Sequence, residues 1–127
     1  MSGRLSDRNA RRRAERGGRL AEWLAAMSMR LKGYSIVKTR FRSGTGEIDL
    51  IARRGRLLAF VEVKTRRNFE TAIEAVTPQT RRRIGAAAQY FLSKHQHLAD
   101  CAVRYDIIAI AGWRIRHLRD AWRDGGV

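Results

Sequence analysis

The sequence predicts an α/β domain whose elements run helix, three strands, helix, two strands. Three observations carry that reading. Apolar residues recur at helical spacing between Gly18 and Lys32. Two strand-like runs occupy Gly46 to Arg67, joined by the polar, glycine-containing link Arg53-Arg54-Gly55-Arg56. A second helical repeat opens at Thr77-Pro78 and is followed by the apolar run Ala102 to Ala111. With 127 residues, 44% of them hydrophobic, the chain has the length and composition of one folded domain with a core.

In chain order, residues 1–17 form a basic arm, residues 18–118 the domain and residues 119–127 a frayed tail. The arm carries Arg11-Arg12-Arg13 and reads equally as a phosphate-touching segment or a solvated tail. In the first helix, Leu20, Trp23, Leu24, Met27 and Leu31 share one stripe. Glu22 lies opposite, in line with Ala25, Ala26 and Met29, which suggests packing on two sides with Glu22 drawn inward; a surface glutamate making local helix pairs is the alternative. Gly33 is the candidate C-cap. Tyr34 to Arg42 alternates as a first strand, Ser43 to Gly46 turns, and Glu47 to Ala52 is the second strand. The third runs from Leu57 to Thr65. Its apolar middle, Leu58 to Val61, marks a central strand buried on both faces.

Arg66 to Val76 reads as irregular or a short helix. Thr77 then offers an N-cap and Pro78 suits the first helical position. That helix extends to about His95, with Ile84, Ala87, Ala88, Phe91 and Leu92 facing the core. Ala102 to Ala111 is a strand, and Trp113 to Leu118 a last short one after Gly112.

Charge is the dominant compositional signal. Lys and Arg number 27 against 12 Asp and Glu, a formal net charge of +15, and such an excess invites a polyanion. Arg40, Arg42, Arg66, Arg67, Arg81, Arg82 and Arg83 are the candidate phosphate contacts. The last three crowd the start of a helix, against its dipole, a local cost that phosphate would offset. A solubility device or a ribosome-associated role is the competing account, and RNA stays open beside DNA. The single Cys101 precludes an internal disulfide and agrees with a reducing compartment, so the cytoplasm is expected. No apolar run approaches the ~20 residues of a membrane span, and the N-terminus lacks the apolar core of a secretory signal.

The chemistry concentrates between Gly46 and Arg67. Strand side chains alternate, so Glu47 and Asp49 share a face, as do Glu62 and Lys64. Folded back as antiparallel partners, the strands bring Asp49 and Glu62 side by side, with Lys64 one step along. Two carboxylates and an ammonium suit a divalent cation on a phosphate. The cation neutralises developing charge and aims a water, while the lysine orients that water or steadies the phosphorane-like charge. Exposed ion pairs on a sheet edge are the bland alternative, but they do not explain acids inside the most apolar stretch of so basic a chain.

Asp49 followed by Glu62-Val63-Lys64 resembles the PD-(D/E)XK nuclease signature. More closely, GEIDLIA and FVEVKTR are similar to the YraN-like family of small bacterial proteins, predicted endonucleases related to archaeal Holliday-junction resolvases. Ala21-Glu22, the turn Arg82 to Ile84 and Arg104-Tyr105-Asp106 extend the likeness, which runs from about Gly18 to Leu118. Ile48 stands in place of the superfamily proline, and Thr80 where relatives often carry lysine. The resemblance implies a restriction-endonuclease-like αβββαβ core, a mixed central sheet flanked by helices. It also implies Mg²⁺ or Mn²⁺ held by Asp49, Glu62 and the carbonyl of Val63, with Lys64 as catalytic lysine. Glu22 would be the first-helix glutamate aimed at the metal, and Glu47 a supporting group or alternative ligand. The implied activity is endonucleolytic cleavage of branched or structured DNA, with a symmetric homodimer expected because a junction offers two related strands. A non-catalytic nucleic-acid-binding module on the same scaffold is the rival.

Other candidates are weaker. His95 and His97 are two apart on a helix and face different ways, which disfavours a zinc site, and His117 is distant. Asp106 beside Arg104 suggests a buried ion pair or support for the metal site. Trp113 and Trp122 offer either base stacking or closure of a core.

Overall fold

The computed structural model describes residues 18–123. The basic arm and residues 124–127 of the expected tail lie outside the described residues. Helix α1 spans 18–31. After it come β1 (Ser35–Ser43), β2 (Gly46–Arg54), β3 (Leu57–Thr65), α2 (Phe69–Glu74), α3 (Pro78–Lys94), β4 (Ala102–Ala111) and β5 (Arg114–Trp122). The five strands form one sheet in sequence order, with β3 and β4 parallel and the other neighbours antiparallel. The architecture is thus a mixed sheet between helices, the expected αβββαβ order with α2 added.

β3 is central, as its unbroken apolar run predicts. Leu58 and Phe60 point into one core with Ile84, Ala88 and Phe91 of α3. Ala59 and Val61 point into a second core with Ala21, Ala25 and Met29 of α1. Each face of the sheet therefore has its own helical cover.

Local chemistry explains the helix ends. Asn68 caps α2, accepting from the N–H of Thr71 at 2.8 Å, so the stretch read as irregular or a short helix is a helix. Thr77 caps α3 in the same way, accepting from Thr80 N–H at 3.2 Å, with Pro78 in its first turn.

Two expectations change. The α1 stripe of large apolar residues is not its buried face: Leu20, Trp23 and Leu31 are exposed, whereas Ala21, Ala25, Ala26 and Met29 are buried. Small side chains let the helix backbone approach the sheet closely, and packing on that face wins over side-chain size. The last strand also runs on to Trp122, which is buried against the α3 core, so 119–122 belongs to the sheet rather than to a frayed tail. Past Leu118, Asp120 adopts a left-handed φ of 53°. The register shifts there, and the Asp120 N–H bonds to Asp106 Oδ1 at 3.0 Å.

Candidate functional site

The β2–β3 register places Leu50 opposite Val61, so Asp49 and Glu62 are the next residues on their strands. Here a side chain takes over from the backbone ladder: Val63 N–H donates to Asp49 Oδ2 at 2.8 Å. Asp49 is half-buried and Glu62 buried. Across from Asp49, Arg40 holds a left-handed φ of 53°. Around this point the hairpin changes face. Leu50 lies in the α1-side core, while Ile48 and Phe41 pack with α3. The acid pair sits at that twist, where β2 leaves its ladder with β3.

Burial pushes the Glu62 carboxyl up to about 9, and Asp49 adds a hydrogen bond and like-charge repulsion, with Lys64 opposing. Neither acid forms an ion pair among the described residues. Two clefts meet at the pair. One, of about 860 Å³, is walled by Arg42, Thr45, Glu47, Thr80 and Arg83. The other, on the α1 side, is walled by Ala21, Glu22, Val63, Thr65 and Arg66. Asp49, Glu62 and Lys64 line both.

Glu22 thus reaches the same cavity, but its Oε2 is held by Arg40 Nε at 2.5 Å. The carboxylates that remain for a cation are a pair. Consistent with this, the described residues include no group of three or more His, Cys, Asp or Glu arranged to hold a metal ion. Glu47 lines the cleft, with Arg42 3.6 Å away. The candidate phosphate contacts divide. Arg42, Arg66 and Arg83 line the clefts. Arg67 and Arg82 are exposed without lining them. Arg40 is engaged by Glu22, and Arg81 turns inward, donating to the Val76 carbonyl at 3.1 Å and lying 5.5 Å over the Trp122 ring.

A third buried acid is built differently. Asp106 accepts from Arg104 at 2.6 and 2.8 Å, and its Oδ2 lies 2.7 Å from His117 Nε2, whose Nδ1 is 2.9 Å from Lys32 Nζ. Burial alone pushes Asp106 up. The bonds from His117, Arg104 and Asp120 N–H outweigh it and hold the carboxyl near 2. Asp106 lines neither cleft, so its role is the buried ion pair. His117, set aside in the sequence as distant, is the bridge from that pair to the end of α1.

Sequence reasoning also missed the role of Gly46. A Cβ there would lie 2.4 Å from the Arg83 carbonyl oxygen, so only glycine lets the hairpin tip lie against α3. The only sequence signal was the glycine itself.

A mixed five-stranded sheet between helices is consistent with a restriction-endonuclease-like core. The chain belongs to the family described as "Uncharacterised protein family UPF0102", which residues 21–110 match; it is the YraN-like family that the two strand motifs resemble. A UPF0102 protein of Paramagnetospirillum magneticum is 51% identical over 119 residues, covering 90% of this chain and 92% of its own. One from Sinorhizobium medicae is 50% identical over 111 residues, covering 87% and 91%. One from Chelativorans sp. is 52% identical over 103 residues, covering 81% and 83%. Their names state a family and no activity. No helix among the described residues is long and apolar enough to cross a membrane.

Proposed function

We propose that this protein is a metal-dependent endonuclease that hydrolyses phosphodiester bonds in DNA, with branched or structured DNA as substrate. One observation carries the reading: two adjacent acids, one buried and neither ion-paired among the described residues, open beside a lysine onto clefts walled by arginine. In a chain of net charge +15 cations are plentiful, yet among the described residues none forms an ion pair with either acid.

The donor set fits a hard divalent cation. Asp49 and Glu62 offer carboxylate oxygens, the Val63 carbonyl is adjacent in sequence, and among the described residues no soft ligand lines either cleft. The raised Glu62 carboxyl keeps a proton where a cation would otherwise balance the charge. Mg²⁺ or Mn²⁺ bound there would supply Lewis-acid neutralisation of the phosphate and an activated water. The remaining work falls to the chain. Val63 N–H fixes the Asp49 carboxylate, and Lys64 points its ammonium at the reacting phosphate to orient the attacking water or steady the developing charge. Arg42, Arg66 and Arg83 hold flanking phosphates. Glu22, fixed by Arg40, serves as a positioning group on the cavity wall, and Glu47 supports from the cleft rim.

The test is cleavage of junction, flap and linear DNA in Mg²⁺ and in Mn²⁺. Asp49→Ala and Lys64→Ala should each lower the rate by at least ~10²-fold, EDTA should abolish cleavage, and DNA binding in EDTA should stay close to that of the parent. Variants that cut as fast as the parent in Mg²⁺ would overturn the assignment. Binding with no metal-stimulated turnover on any substrate would favour the non-catalytic module.

A further inference from the structure

The fold separates the two late tryptophans. Trp122 is buried against Tyr105, ring centroids 5.2 Å apart. Trp113 is wholly exposed, at 101% of its reference area, and has no ring or hydrogen-bonding partner among the described residues. With Gly112 it forms the two-residue β4–β5 turn, and the Gly112 φ of 61° is the left-handed backbone such a tight turn requires.

The position of that turn matters. β4 runs parallel to β3, with Glu62 beside Ile107, Lys64 beside Ala109 and Thr65 beside Ile110. Arg66 N–H continues the pairing to the Ile110 carbonyl at 3.1 Å. The hairpin tip therefore projects from the sheet end that carries the acid pair, roughly 10–15 Å from Lys64 by strand rise and spacing. Four arginines lie on the segments at this end of the sheet. Arg114 and Arg116 lie 5.3 and 6.0 Å over the Phe69 ring at the start of α2, and Arg66 and Arg67 are exposed at the end of β3. None of the four is ion-paired to an acid among the described residues.

We infer that Trp113 is a stacking platform for an unpaired base of the DNA strand that enters the acid cleft, with Arg66, Arg67, Arg114 and Arg116 on its phosphates. This deepens the nuclease reading and rests on it for the strand's course through the cleft. Its chemistry is specific. An indole held bare in water among unneutralised cations matches a ligand that offers a π-face and phosphates together. Within a duplex each base is already stacked on its neighbours, so only a gap, fork or single-stranded stretch presents such a face. The substrate class narrows to DNA with unpaired nucleotides a few positions from the scissile bond.

The test uses binding alone, in EDTA, so that it does not depend on cleavage. Anisotropy is read with a fork bearing a single-stranded arm and with a blunt duplex of the same length. Trp113→Ala should weaken fork binding roughly 5- to 100-fold and change duplex binding less than about twofold, with Trp113→Phe restoring most of the loss. Thermal unfolding of the full chain checks that each variant folds. Equal losses on both DNAs, or none on either, would overturn the inference, as would self-association of the parent that Trp113→Ala abolishes. A parent that binds forks through Trp113 but never cleaves would sink the nuclease reading and leave the platform standing.

Discussion

Asp106 and Glu62 are buried acids on adjacent strands, held in opposite ways. Arg104 and His117 serve Asp106, whereas Glu62 faces another carboxyl, with Lys64 opposing. The first arrangement stabilises the fold; the second leaves two carboxyls facing each other, which an external cation would relieve under the proposed function. Asp106 has the testable pH signature. Its folded value near 2 lies below the ordinary 3.8, so its contribution is fully present above about pH 4 and is lost as pH falls through 2. Asp106→Ala should cost about 3–5 kcal/mol at pH 7, since it strands the Arg104 cation inside the protein. Urea unfolding of parent and variant at pH 7 and again near pH 2.5 checks this, with the gap between them narrowing at the lower pH. A gap of constant size would show that packing, not charge, explains the loss.

At the level of elements, close approach positions the site. The β1–β2 hairpin reaches α3 only because Gly46 has no side chain, and that contact sets one wall of the cleft. Gly44, two residues away in the same turn, has nothing within 4 Å of an added Cβ. Gly46→Ala should therefore destabilise by about 1–3 kcal/mol through overpacking, whereas Gly44→Ala should stay within about 0.5 kcal/mol of the parent. Paired urea midpoints decide the matter, and equal shifts would mean that the contact does not hold the hairpin. α1 follows the same rule. Its periodicity announced a helix, but two faces satisfied that periodicity, and the facing sheet took the alanine one.

Over the whole molecule, a net charge of +15 would make the proposed binding to DNA strongly salt-dependent through counterion release. Arg42 and Arg83 line the larger cleft, so replacing both with alanine should weaken binding to all DNA sequences alike and lower the log–log salt slope by about 2. Arg81→Ala should leave the slope unchanged and reduce stability instead, because its guanidinium lies over Trp122 and bonds the Val76 carbonyl. Titrations at four or more salt concentrations separate the two cases. A changed slope in Arg81→Ala would return that residue to the candidate phosphate contacts.

Much of this protein was legible in the chain itself. Alternation of charge and apolar side chains between Glu47 and Lys64 determined the hairpin and its acid pair, because side-chain direction along a strand follows from local geometry alone. The buried run Leu58 to Val61 likewise determined the central strand. Only the tertiary structure decided which face of α1 is buried, that Arg40 engages Glu22 and that Arg81 turns inward. It also decided that His117 joins Asp106 to Lys32, and that Trp113 stands in solvent while Trp122 closes a core. The reason is physical: those outcomes depend on which surfaces meet across long sequence separations, and a local pattern carries no information about its distant partner.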